Sequence, residues 1–103
     1  MDKTLSLLGI AKKAGLLAIG SEQTAISARQ GKAHLIISAS DASPGTIRRA
    51  KSNADMYETN YIAVSYTKFE LGSITGRGSP GVLAILDKGL AKNFSEKIKE
   101  SDA

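Results

Sequence analysis

The chain has 103 residues, with 14 Lys and Arg against 10 Asp and Glu, a formal net charge of +4, and no cysteine. That length holds one hydrophobic core, so residues 1–103 are expected to form a single domain whose last residues, about 99–103, fray. Apolar residues at 42% and charged residues at 23% exclude a disordered chain, and the lack of cysteine excludes a disulfide framework, thiolate catalysis and Cys-held metal centres.

Leu5, Leu8 and Ala11, flanked by Leu7, Ile10 and Ala14, recur at helical spacing with Lys3, Ser6 and Lys13 turned away, which predicts an amphipathic helix over 3–14 stopped by Gly15. Leu16-Leu17-Ala18-Ile19 reads as a short strand closed by Gly20. The next helix is expected to begin at Ser21, with its hydroxyl as the N-cap and its first turn facing outward, and to end at Gly31. His34 to Ala39 contains Leu35-Ile36-Ile37 without polar alternation, the pattern of a strand buried on both faces. In Asp41-Ala42-Ser43-Pro44, Ser43 supplies a cap and Pro44 the first position of a helix running to Tyr57, because proline lacks only an N–H that would go unpaired there.

Tyr61-Ile62-Ala63-Val64 repeats the buried-strand pattern, residues 67–75 read as a short helix, and Val82 to Leu86 as another buried strand. Asp87 then caps a last helix with Leu90, Phe94 and Ile98 on one side. Strands alternating with helices predict an α/β fold, a three-layer α/β/α sandwich around a mixed four-stranded sheet.

No enzyme is expected. Gly76-Arg77-Gly78-Ser79-Pro80-Gly81 spells G-x-G-x-x-G, but it follows a helix and opens a strand, the reverse of the dinucleotide-binding context. The single histidine, His34, sits at a strand end without cysteine or a paired-acid cluster, so neither a metal nor another cofactor is expected. The serines lack a G-x-S-x-G elbow and a base with its orienting partner. Apolar runs are only strand-length, and Met1-Asp2-Lys3-Thr4 leads into no hydrophobic segment, so the expectation is a cytoplasmic protein without signal peptide or membrane contact.

A pI of about 9.5 points to a polyanionic partner. Five aromatic residues and no tryptophan are too few to stack successive bases of a single strand. Two segments have two readings each: Gly20-Ser21-Glu22-Gln23 is a routine N-cap or a phosphate site at a helix N-terminus, and the glycine-rich loop around Arg77 is a flexible turn or a loop that lies against a partner's backbone. Cations lie in small groups, Lys12-Lys13, Lys32, Arg48-Arg49-Lys51, Lys88 and Lys92.

Leu7-Leu8-Gly9-Ile10-Ala11-Lys12-Lys13-Ala14-Gly15, Gly20-Ser21-Glu22, Gly31-Lys32-Ala33-His34-Leu35-Ile36-Ile37 leading to Asp41-Ala42-Ser43-Pro44, and Glu70-Leu71-Gly72 followed by Gly76 together resemble the ribosomal proteins that bind kink-turn RNA, in particular their small bacterial YlxQ-like members. The resemblance spans nearly the whole chain. It implies the same sandwich, docked on a sharply bent RNA internal loop with tandem sheared G·A pairs in ribosomal or messenger RNA, on or off the ribosome; nothing in the sequence demands a partner chain, so a monomer is expected. It also implies that Gly20, Ser21, Glu22 and Gln23 enter the RNA groove and that Arg77, Gly78, Ser79 and Pro80 cover a flipped-out nucleotide; from the charge pattern of the chain itself, Lys12, Lys13 and Lys32 are expected to add cations to the RNA-binding surface. The family's recognition turn reads Gly-x-Asn-Glu with a lysine three residues on; this chain has Glu22, Gln23 and Ile26 there. The rival expectation is a protein-interaction module on the same fold whose RNA site is altered or lost. Cations around Gln23 favour RNA, and a neutral apolar face favours a protein partner.

Overall fold

Along Leu35-Ile36-Ile37-Ser38, successive side chains point to opposite faces of the sheet, and all four residues are buried. Val82 to Ile85 does the same. Both strands are therefore central, and helices must cover both faces. The computed structural model describes residues 3–102, with side chains for residues 3–100, in the order α1 (Lys3–Lys13), β1 (Leu17–Ile19), α2 (Ser21–Arg29), β2 (Leu35–Ser38), α3 (Pro44–Met56), β3 (Asn60–Ala63), α4 (Lys68–Thr75), β4 (Val82–Ile85) and α5 (Lys88–Asp102). Met1 and Asp2, part of the leader expectation, and Ala103, part of the frayed tail, lie outside the described residues. α5 extends to Asp102.

The sheet order is β1-β4-β2-β3. β2 pairs parallel with β3, while β4 runs antiparallel to both β1 and β2. Hence β1, β2 and β3 point one way and β4 the other, a mixed four-stranded sheet as predicted. One face packs Leu35, Ile37, Leu83 and Ile85 against Leu8 of α1, Leu71 of α4 and Phe94 of α5. The other packs Ile36, Val82 and Ala84 against Ala28 of α2 and Ala50 and Ala54 of α3, small residues that let these helices lie close to the strands.

The predicted caps of α3 and α5 hold. The Thr46 N–H donates to Ser43 Oγ at 3.2 Å, with Pro44 in the first turn, and the Leu90 N–H donates to Asp87 Oδ2 at 2.9 Å. Two expectations change. The strand expected over 61–64 begins at Asn60, and it is an edge strand with Asn60 and Ala63 exposed rather than a doubly buried one. Its apolar look has a local cause: Tyr61 tucks toward α3, its hydroxyl 2.6 Å from Ser38 Oγ and Lys51 Nζ 6.0 Å from its ring centre, while Ile62 packs on the opposite core. In α1, Ile10 and Ala14 leave the predicted apolar stripe; Ile10 is 54% exposed, and the helix ends at Lys13.

Candidate nucleic-acid interface

The first three N–H groups of a helix have no partner within the helix, so what precedes α2 decides what its N-terminus can bind. The cap is Gly20, not Ser21, which corrects the sequence expectation: Gly20 has φ 95° and ψ 165°, and no side chain caps the turn. That backbone region is open almost only to glycine. With the cap position lacking a side chain, the positive end of the helix is left facing outward. Glu22 and Gln23 are exposed and Ser21 half-buried.

The antiparallel pairing of β1 with β4 carries this turn to the loop before β4. Ile19 pairs with Leu83, and the Gly20 N–H donates to the Val82 carbonyl at 3.0 Å. Arg77, Gly78 and Ser79 of that loop are exposed, whereas Pro80 is buried. Pro80 therefore anchors the loop from within. Lys12, Gln23 and Arg77 line one concavity whose floor is the outer edge of β1, the edge that has no strand neighbour. Lys12 also reaches Gly76, with its Nζ 3.6 Å from where a Cβ on that glycine would lie. Lys13 faces the adjoining groove between α1 and α4.

Lys32 stands apart. It follows Gly31 at the far end of α2, roughly one helix length, about 13 Å, from Ser21, and its N–H donates to the Ser27 carbonyl. Ile26, at the position where the resembling family carries a lysine, is half-buried. The concavity thus gathers two cations, Lys12 and Arg77, with the Gln23 amide at a helix N-terminus, and Glu22 is the exposed neighbour of Gln23.

Gly72 was not singled out for any role in the sequence, yet it positions the loop. A Cβ on Gly72 would overlap the Gly78 carbonyl oxygen and stand 2.8 Å from its carbon, so the loop lies directly on α4. The available signal was a glycine inside a helix, which costs about 1 kcal/mol relative to alanine and so calls for a packing reason. α4 itself is pinned by a capping box between Thr67 and Glu70, and by the Lys68 N–H donating to Asp41 Oδ1 at 2.8 Å. Among the described residues, no group of three or more His, Cys, Asp or Glu is placed to hold a metal ion, and no helix is long and apolar enough to cross a membrane.

Comparison with known proteins agrees with this architecture. The chain is 32% identical over 98 residues to RNA-binding protein YlxQ of Enterococcus faecium, covering 95% of this chain and 93% of that one. Among solved structures, a protein of unknown function from Bacillus halodurans C superposes with a TM-score of 0.87 at 28% identity, covering 96% of this chain and 99% of that one. The Giardia lamblia 15.5kD RNA binding protein shares the fold at a TM-score of 0.77 and 20% identity, covering 93% and 84%. Residues 2–95 match a single family along the stretch that builds the sheet, the α2 turn and the loop over Gly72, and the chain belongs to the Ribosomal protein L7Ae/L30e/S12e/Gadd45 family.

Proposed function

We propose that the chain is a non-catalytic RNA-binding protein that recognises a kink-turn or similarly bent RNA and holds it in its folded form, acting as a monomer on ribosomal or messenger RNA in the cytoplasm. The observation that carries this reading is the convergence of Lys12, Gln23 and Arg77 on one concavity beside the side-chain-free N-terminus of α2. The Enterococcus relative, named as an RNA-binding protein, supports it. Of the four cations expected around Gln23, Lys12 and Arg77 line its concavity together with Leu17, Ala18 and Ile19, and these two charges support RNA over a protein partner.

Each group has a task that its chemistry fits. The Gln23 amide both donates and accepts, so it can pair with a purine edge, while the Glu22 carboxylate accepts from guanine amino or imino groups. Lys12 and Arg77 meet phosphates, which fix register without reading sequence. The exposed Gly78 and Ser79 form the surface that covers an unstacked nucleotide, held from beneath by buried Pro80. Lys32, at the far end of α2, contributes to long-range attraction rather than to this contact.

A protein that binds only the kinked RNA draws the population toward it, and moving a 1:99 equilibrium to 99:1 takes a preference of roughly 10⁴-fold. Energy transfer between dyes on the two RNA arms measures this. Adding the protein at fixed salt raises transfer for a kink-turn RNA and leaves it unchanged for the same duplex without the bulge. No change for the kink-turn RNA contradicts the reading.

A further inference from the structure

A second concavity lies at the other end of the sheet, between the start of β3 and α5. α5 presents Lys88, Lys92 and Lys99 along it. Spacings of four and seven residues keep three side chains on one face of a helix, about 6 Å and then about 10 Å apart along its axis. All three lysines are exposed, and the facing wall carries the exposed His34 and Asn60; among the described residues that line the groove, Glu96 is the one carboxylate. Two further observations narrow the occupant. The floor residues Leu35 and Ala91 are only 2% and 6% exposed, so the groups a partner meets first are the exposed lysine ammonium groups along α5. The nearby ring of Tyr61 is engaged by Ser38 and Lys51, so no free aromatic platform is offered to an unstacked base.

We infer that this groove is a second RNA contact, which takes the phosphate backbone of a duplex without reading its sequence, so that one molecule bridges two RNA segments. The inference rests on the reading that the partner of this protein is RNA. Simultaneous occupancy is geometrically open, because the groove begins at the N-terminal ends of β2 and β3 while the α2 turn stands at the C-terminal ends of β1, β2 and β3. Cations aligned along a helix suit a backbone whose charge repeats at regular intervals, and such contacts contribute affinity that falls steeply with salt.

The test uses the full chain, an immobilised kink-turn RNA that occupies the first site, and a labelled plain RNA duplex of about 20 base pairs in solution. The protein is expected to capture the duplex on the immobilised complex. The double substitution Lys88→Gln and Lys92→Gln is expected to weaken that capture about tenfold at moderate salt, and to lower the slope of log K against log salt by about two, with kink-turn binding retained. Lys99→Gln alone lowers the slope by about one. Competition between duplex and kink-turn RNA for one site overturns the inference, as does capture by the double variant equal to wild type. Capture of a poly-glutamate peptide in place of the duplex overturns it in favour of an acidic protein partner. Duplex binding that depends on Lys88 and Lys92, in a protein that ignores kink-turn RNA, supports the groove while overturning the reading of the first site.

Discussion

At the scale of single residues, Gln23 and Lys12 share a concavity, and the proposed function gives them different tasks. Gln23→Ala is expected to reduce discrimination between sheared G·A pairs and Watson–Crick pairs by about 1–3 kcal/mol, the range of a two-pronged amide contact to a base. Lys12→Ala is expected to weaken binding to both RNAs alike and to reduce the salt slope by about one. Parallel titrations at several salt concentrations separate the two effects, and identical behaviour of the two variants contradicts the assignment. Gly20 acts through its backbone. At φ 95° and ψ 165° an added Cβ is strained, so Gly20→Ala is expected to cost about 1–3 kcal/mol, read from the urea midpoint. This conformation was not legible in the sequence: Ser21 is a better cap by residue type, and only the pairing of Gly20 with Val82 shows which residue precedes the first turn.

At the scale of elements, α4 is where stability and function come apart. Thr67→Ala removes one half of the capping box and is expected to cost about 1 kcal/mol while leaving RNA affinity unchanged. Gly72→Ala forces α4 and the Gly78 carbonyl apart, with an expected cost of about 1–3 kcal/mol and a loss of affinity, because the displaced loop carries Arg77. Denaturation and RNA titration on both variants test this, and unchanged affinity in Gly72→Ala contradicts the role given to the loop. Element types were readable where one local signal dominated, as with Ser43-Pro44 at the start of α3, Asp87 before α5 and the unbroken apolar runs of β2 and β4. β3 was misread because Tyr61 and Ile62 are covered from opposite faces, which imitates a central strand. An apolar run reports covering of faces and says nothing about how many strand neighbours flank its edges.

At the scale of the whole molecule, function depends on strand order, which alternation of elements does not encode. Placing β4 between β1 and β2 brings the loop at Arg77 beside the turn at Gly20, although more than fifty residues separate them in the chain. The length of α2 itself puts Lys32 at its far end, so a cation close in sequence to the Gly20 turn is distant from it in space. Proximity of Lys12 to the loop depends in turn on α1 packing against α4, since Gly76 closes α4 next to the Lys12 ammonium. The central claim is that this assembled concavity selects bent RNA despite having Glu22, Gln23 and Ile26 where the resembling family has Asn, Glu and Lys. The most direct measurement is a titration, at one fixed salt concentration, of a labelled kink-turn RNA and of the same duplex with the bulge removed and the G·A pairs replaced by Watson–Crick pairs. Binding at least tenfold tighter to the kinked RNA, with that preference lost in Gln23→Ala, is the predicted result; equal weak binding to both RNAs contradicts the account.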